Sequence, residues 1–301
     1  MFPLLTNDLK EEIKKSIVIN KPNNSITYDK KEAIGKSIIY HGKHNDRIYI
    51  SHLDVDDYSE VINRVDSLIK QEHYTKIFAK TPAHLEHNFS KNGFIPEGTI
   101  PNYYNGQSDV LFMCKYFSPE RKFLSTQNKE KIDKIITLTE TKIKKEPNKQ
   151  SVKISDLNLN QMDALAQLYR DVFPSYPFPI FESSYLQQSL DSCYYYGVYD
   201  KNQLVAAASS EVNVEESSAE MTDFATLSSY RGQGFAFELL KEMERNMSRL
   251  GIKTVYTIAR AISPGMNITF SKNAYSYGGL LVNNTNIGGQ IESMNIWYKH
   301  L

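Results

Sequence analysis

The chain has little cysteine, almost no tryptophan and no net charge. Its 301 residues include two cysteines and one tryptophan, and Lys+Arg and Asp+Glu each total 35. Cys114 and Cys193 are too far apart to form a metal-ligand spacing or a disulfide framework. Both sit in apolar, strand-like runs, so buried free thiols are expected, which suits a reducing cytoplasm. Zero formal charge supplies no whole-chain field for nucleic acid or an anionic membrane. No run of about 18 apolar residues occurs, which speaks against a transmembrane helix. Met1 to Asp8 lacks a basic region followed by a long apolar stretch, so no signal peptide is expected. The length exceeds what one small domain needs and allows two cores.

The most informative stretch is Tyr230-Arg231-Gly232-Gln233-Gly234-Phe235-Ala236. It follows a strand-like segment, Glu220 to Leu227, and opens an amphipathic helix from Phe235 to Leu250. A glycine turn into a helix N-terminus gathers unpaired N–H groups at the positive end of the dipole, where phosphate binds. The spacing matches neither a P-loop nor a dinucleotide fingerprint. The pattern Arg-x-x-Gly-x-Ala resembles the pyrophosphate loop of the GCN5-related N-acetyltransferases (GNAT).

The surrounding periodicity places this loop in an α/β domain. Val152 to Leu157 reads as a strand, and Met162, Leu165, Leu168 and Val172 have helical spacing. Pro174, Pro177 and Pro179 end that helix, and Phe181 to Leu190 reads as a second, short one. Strands are expected at Tyr194–Tyr199, Gln203–Val214 and Ala219–Leu227. Phe235, Leu239, Leu240, Met243 and Met247 form the core face of the next helix, which stops at Leu250-Gly251. Lys253 to Ala261 reads as a buried parallel strand reached by a helical crossover. A short helix near Met266 to Lys272 and strands near Gly278–Val282 and Ser293–Tyr298 follow. The order resembles the GNAT fold: a mixed, mostly antiparallel sheet with helices on both faces.

The N-terminal part echoes this pattern. Thr75-Lys76-Ile77-Phe78-Ala79-Lys80 is similar to Thr254-Val255-Tyr256-Thr257-Ile258-Ala259, and Phe89-Ser90-Lys91-Asn92-Gly93-Phe94 to Phe270-Ser271-Lys272-Asn273-Ala274-Tyr275. Asp109–Phe117 stands where Glu292–His300 stands later. Arg47–Leu53 reads as a strand and Tyr58–Glu72 as a helix. Between them lie Asp54, Asp56 and Asp57 and no glycine, and those acids repel pyrophosphate. The expected organisation is a degenerate acetyltransferase-like half-domain at 1–118, a basic linker at 119–150 with a helical piece at Asp133–Leu138, and a catalytic domain at 151–301. A nucleic-acid arm is the sharper reading of the linker lysines, but interspersed acids favour a solvated connector.

The GNAT resemblance implies that Phe224, Ala225 and Thr226 meet the pantetheine arm of acetyl-CoA. Arg231, Gly232, Gln233, Gly234, Phe235 and Ala236 would hold its pyrophosphate, with Asn267 and Phe270 also at the cofactor. The acceptor amine must be neutral. At pH 7 only about one lysine-type amine in 2,500 is, a deficit of about 4.6 kcal/mol. A carboxylate base is therefore expected. Glu220 and Asp223 are the nearest candidates and Glu292 a third. Strand alternation puts Glu220 and Asp223 on opposite faces. Many family members carry a Tyr acid after the aromatic matching Phe270; here Ser271 occupies that place.

Longer stretches resemble a narrower family. Met221–Leu227, Tyr256–Ala261, Gly265-Met266-Asn267, Tyr277–Ile287 and Glu292–Lys299 are similar to the beta-lysine N6-acetyltransferases. This implies acetyl transfer from acetyl-CoA to the terminal amine of 3,6-diaminohexanoate, without a metal, and a product that serves as a compatible solute. Against such a substrate Arg260 offers a fork for the carboxylate, although a structural ion pair is the other reading of that residue. Asp223 or Glu292 offers an anchor for the non-reacting ammonium, and Asn283, in the Asn-Asn-Thr-Asn loop, neutral polar groups. Another small amine or a protein lysine as acceptor, or CoA binding without turnover, are the alternatives. The expected partner is a small molecule, not nucleic acid or membrane, and a homodimer stays open.

Overall fold

A computed structural model describes residues 28–142 and 152–301. The N-terminal half contains β1 (Lys30–Ile34), β2 (Ser37–Gly42), β3 (Arg47–His52), α1 (Tyr58–Glu72), β4 (Lys76–Pro82), α2 (Glu86–Lys91), β5 (Ile95–Tyr104) and β6 (Ser108–Tyr116). Two helices follow, α3 (Pro119–Lys122) and α4 (Thr126–Lys142). The C-terminal half contains β7 (Ile154–Leu157), α5 (Met162–Val172), α6 (Ser183–Gln188), β8 (Cys193–Asp200), β9 (Gln203–Asn213), β10 (Ser218–Thr226), α7 (Phe235–Arg249), β11 (Thr254–Arg260), α8 (Pro264–Lys272), β12 (Ser276–Ile287) and β13 (Gln290–His300).

All these strands join one sheet in the order β1-β2-β3-β4-β6-β5-β12-β13-β11-β10-β9-β8-β7. Apart from β7, the second half repeats the first in mirror order. β3 and β4 pair in parallel, as β10 and β11 do. β6 pairs antiparallel to β4 and β5, as β13 pairs to β11 and β12. The seam is the contact of β5 with β12 at Gly98 opposite Gly279. A Cβ on Gly279 would lie 2.3 Å from the Glu97 carbonyl oxygen and 2.6 Å from the Gly98 Cα, so glycine is required there.

Burial follows the periodicity. On α7, Leu239, Leu240, Met243 and Met247 are inaccessible and pack on β8, β9 and β10, each side chain contributing about 1.5–3 kcal/mol. Gly251 takes φ +78, and the Ile252 N–H returns to the Met247 carbonyl, closing the helix as its sequence predicts. A second outer core joins α1 to β3 and β4. A third lies between the halves and combines Phe78, Tyr103 and Phe112 with Tyr169, Tyr256 and Met294. Cys114 and Cys193 are buried free thiols, as expected.

Two expectations change. The last two strands are much longer than the apolar cores that announced them: after a register shift, Thr285–Ile287 of β12 pair with Gln290–Glu292 of β13, and β13 runs on to His300. In its described part the connector is helical with one buried face, while Lys122, Lys129, Lys131 and Lys134 stay exposed. α4 spans Thr126–Lys142, buries Ile132, Ile135 and Thr139 and packs on α8. Arg121 is also buried, donating to the Asn45 carbonyl at 2.7 Å. Lys144, Lys145 and Lys149 lie outside the described residues, as do residues 1–27 of the proposed N-terminal unit.

Candidate active site

The glycine loop has the geometry its composition suggests. Gly232 and Gly234 adopt φ +80 and +83, and a Cβ on either would meet no atom within 4 Å. Their role is backbone conformation with open space above it. Gly234 caps α7 with no side chain bonded over the helix end. Among the described residues, no protein acceptor takes the N–H groups of Gly232 through Ala236. That is an anion site in waiting. Arg231 is exposed and leans its Nε on the Thr226 carbonyl at 3.2 Å.

Next to the loop, the sheet opens. β10 and β11 pair only at Ser218↔Thr254, Ala219↔Val255 and Glu220↔Tyr256, then part. A bulge in β10 contributes: Thr222 opposes Ser209 and Ala225 opposes Ala207, which inserts one residue. Asp223 sits in it at φ +54, a conformation Asp tolerates better than most residues. The inserted residue breaks the alternation. Glu220 and Asp223 do not face opposite sides but line one cavity, of about 650 Å³. This corrects the expectation from simple strand geometry.

The cavity runs from the loop to the space between the halves. Phe224, Thr226, Arg231, Gly232, Gly234, Phe235 and Ala236 line one part, with Arg260 and Phe270. Burial pushes the Glu220 carboxyl up to about 7; the charge of Lys80 opposes the shift and that of Asp223 adds to it. Burial, then repulsion from Glu220 and Asp223, raises Glu211 to about 8. Glu211 is itself exposed and is not on the cavity wall. Burial also raises Asp223, whose oxygens accept from the hydroxyls of Tyr176 and of Ser209, the latter at 2.7 Å. Asp223 is therefore engaged, whereas Glu220 combines a raised pKa with access to the cavity.

The comparisons agree with this geometry. The acetyltransferase (GNAT) family model matches residues 162–264. A beta-lysine N6-acetyltransferase of Methanococcus maripaludis is 40% identical over 85% of this chain and 93% of its own. The chain belongs to the beta-lysine N6-acetyltransferase family of the GNAT superfamily. It is an acyltransferase. A Methanosarcina mazei protein of the same name is 31% identical over 81% of this chain and 98% of its own. The Bacillus subtilis N-acetyltransferase YodP is 35% identical over 77% of this chain and 84% of its own.

Several residues that the family resemblance singled out are elsewhere. Asn267 is buried outside the cavity wall; it donates to the Arg260 and Ser263 carbonyls and accepts from Asn295 and Trp297. It ties α8 to β13. Asn283 donates to the carbonyls of Glu120, Arg121 and Phe123, holding α3 rather than facing the cavity. Glu292 is buried and both its oxygens are bonded to Arg260, at 2.6 and 2.8 Å. The structural ion-pair reading of Arg260 is the one found, and Glu292 is not on the cavity wall. Ala225 is buried and Gln233 exposed, neither on the wall. Ser271 donates to the Thr139 carbonyl at 3.1 Å, turned toward α4.

Other wall residues went unnoticed in the sequence. Arg47, Tyr49 and Phe78 come from the N-terminal half, and Tyr176 and Phe178 from the proline-rich segment whose prolines end α5. Asn284 and Thr285 replace Asn283. The available signal was the aromatics between Pro174 and Pro179, too hydrophobic for a solvated loop. Among the described residues, no cluster of His, Cys, Asp or Glu could hold a metal. None of their helices is long and apolar enough to cross a membrane.

Proposed function

We propose that this enzyme transfers the acetyl group of acetyl-CoA to the N6 amine of beta-lysine, by direct attack in a ternary complex. One observation carries the chemistry: Glu220, with its carboxyl raised to about 7, lies in the cavity where β10 and β11 part beside the glycine loop. A base poised near neutral pH can take the proton that keeps an amine unreactive. The unpaired N–H groups of Gly232 to Ala236 and the open space over both glycines fit a pyrophosphate. Bound there, acetyl-CoA supplies an activated acyl carbon. Glu220 takes the ammonium proton, the neutral amine nitrogen then bonds to that carbon, the carbon–sulfur bond breaks, and CoA leaves as a thiolate that is protonated by the second proton shed from nitrogen. Asp223 fixes the Tyr176 ring through its hydroxyl, shaping the acceptor side. Walls from both halves favour a small amine over a protein lysine, and the names of two relatives point to beta-lysine.

The test is direct. The protein is incubated with acetyl-CoA and beta-lysine, and NMR locates the acetyl group. Acetylation at N6 is expected. Equal efficiency on alpha-lysine would remove the specific assignment.

A further inference from the structure

The acceptor has two ends, and the base accounts for only one. Beta-lysine carries a carboxylate and a second ammonium far from N6. Among the cations on the cavity wall, Arg231 belongs to the phosphate loop, Lys272 to α8, and Arg260 is neutralised by Glu292. Arg47 differs. It is 3% exposed, yet only its Nη1 has acceptors, the Asn284 carbonyl at 2.8 Å and Thr285 Oγ1 at 2.9 Å. Its Nε is buried with no partner among the described residues. The other buried cations have carboxylates: Lys76 with Glu97 at 3.2 Å, Lys80 with Glu216 at 3.0 Å and Arg121 with Asp46 at 3.8 Å. A buried guanidinium without a counter-ion is unfavourable, and an arriving anion relieves it.

Beside it stands the complementary defect. Asn284 is 1% exposed, and its Oδ1 has no donor. Unpaired donors and an unpaired acceptor thus border the same cavity, next to the rings of Tyr49 and Phe78, whose centroids lie 5.6 and 5.8 Å from the Arg47 Cζ. We infer that Arg47 and Asn284 hold the amino-acid end of the acceptor, Arg47 taking the carboxylate and the Asn284 side-chain oxygen the non-reacting ammonium. This rests on the acceptor proposed above. It makes the N-terminal half part of the substrate site and displaces Arg260 and Glu292 from that role.

The test compares beta-lysine with its carboxamide, which keeps both amines and loses the charge. For the unaltered enzyme, the carboxamide should raise KM about 100-fold, the worth of a charged hydrogen-bonded pair, with kcat little changed. In Arg47→Met the two substrates should become nearly equal, and Arg47→Lys should recover part of the preference. Equal KM values for acid and carboxamide in the unaltered enzyme would overturn the inference while leaving the N6 reaction standing, and they decide the matter even if Arg47→Met fails to fold. No turnover of beta-lysine at all would remove the acceptor and this inference together.

Discussion

The helix N-termini after β3 and β10 occupy equivalent places in the two halves and are built in opposite ways. Before α7 the chain uses Gly232 and Gly234 at positive φ and leaves the N–H groups without protein acceptors. Before α1 it uses Asp54, Asp56 and Asp57. Asp57 accepts from the Lys36 and Ser37 N–H groups and the Ser37 hydroxyl, while Asp54 caps the Asp56 N–H. One end invites an anion; the other already contains its own. The neighbouring sheet differs in step. β10 and β11 part after Glu220, whereas β3 and β4 stay paired through Ile50↔Ala79. Other details persist in both halves. Phe89 and Phe94 pack edge to face at 4.9 Å, as Phe270 and Tyr275 do at 5.1 Å. The two halves share packing and topology but not the glycine loop, and the first half presents a side wall to the cavity.

The sharpest way to separate the halves is through the base. Glu220→Gln should lower kcat by about 10²–10⁴-fold while acetyl-CoA still binds. In the unaltered enzyme kcat/KM should rise as pH passes through about 7, because Glu220 must lose its proton to act; the variant should lack that limb. The joint between halves is the next target. Burial pushes Glu216 up, but the hydrogen bond from His52 and the charge of Lys80 prevail and leave it at about 2. Its folded-state pKa is thus depressed. The stability it contributes is present above the unfolded value of 4.5 and lost as pH falls toward about 2. Glu216→Gln should cost about 3 kcal/mol at neutral pH in denaturant unfolding, since Lys80 is left buried without its partner.

A smaller effect is expected at the loop. Gly234→Ala places a side chain at positive φ, which should cost about 1 kcal/mol and raise KM for acetyl-CoA several-fold. The smallest is in the first half. Asp57→Asn should lower the melting temperature slightly without creating a second CoA site, because the loop still lacks glycines. Calorimetric titration with CoA should find one site per chain in both proteins; two in the variant would break the comparison.

The legible features were those carried by neighbours in the chain. Gly232 and Gly234 announced their loop because positive φ excludes most side chains. The leucines and methionines of α7 announced its face through their spacing, and Phe89-Ser90-Lys91-Asn92-Gly93-Phe94 betrayed the repeat through identity of sequence. Where the reading failed, a non-local partner was responsible. Strand alternation misplaced Asp223 because a single inserted residue against Ser209 and Ala207 reverses it. Arg260 and Glu292 read as two substrate contacts, yet they bond to each other across β11 and β13.

The order of elements and the phosphate loop were therefore written locally, in backbone sterics and in the periods of 2 and 3.6 residues. The proposed acceptor site was decided only by folding. Arg47 lies 173 positions from Glu220 in the chain, and nothing in its own neighbourhood distinguishes it from a surface arginine. It becomes a buried cation with unused donors only when β3 packs beside Asn284 of β12. The carboxyl of Glu220, the proposed base, is raised to about 7 only when burial makes its charge expensive. Burial and through-space charge are properties of the assembled molecule, and they select which of many polar residues face the substrate.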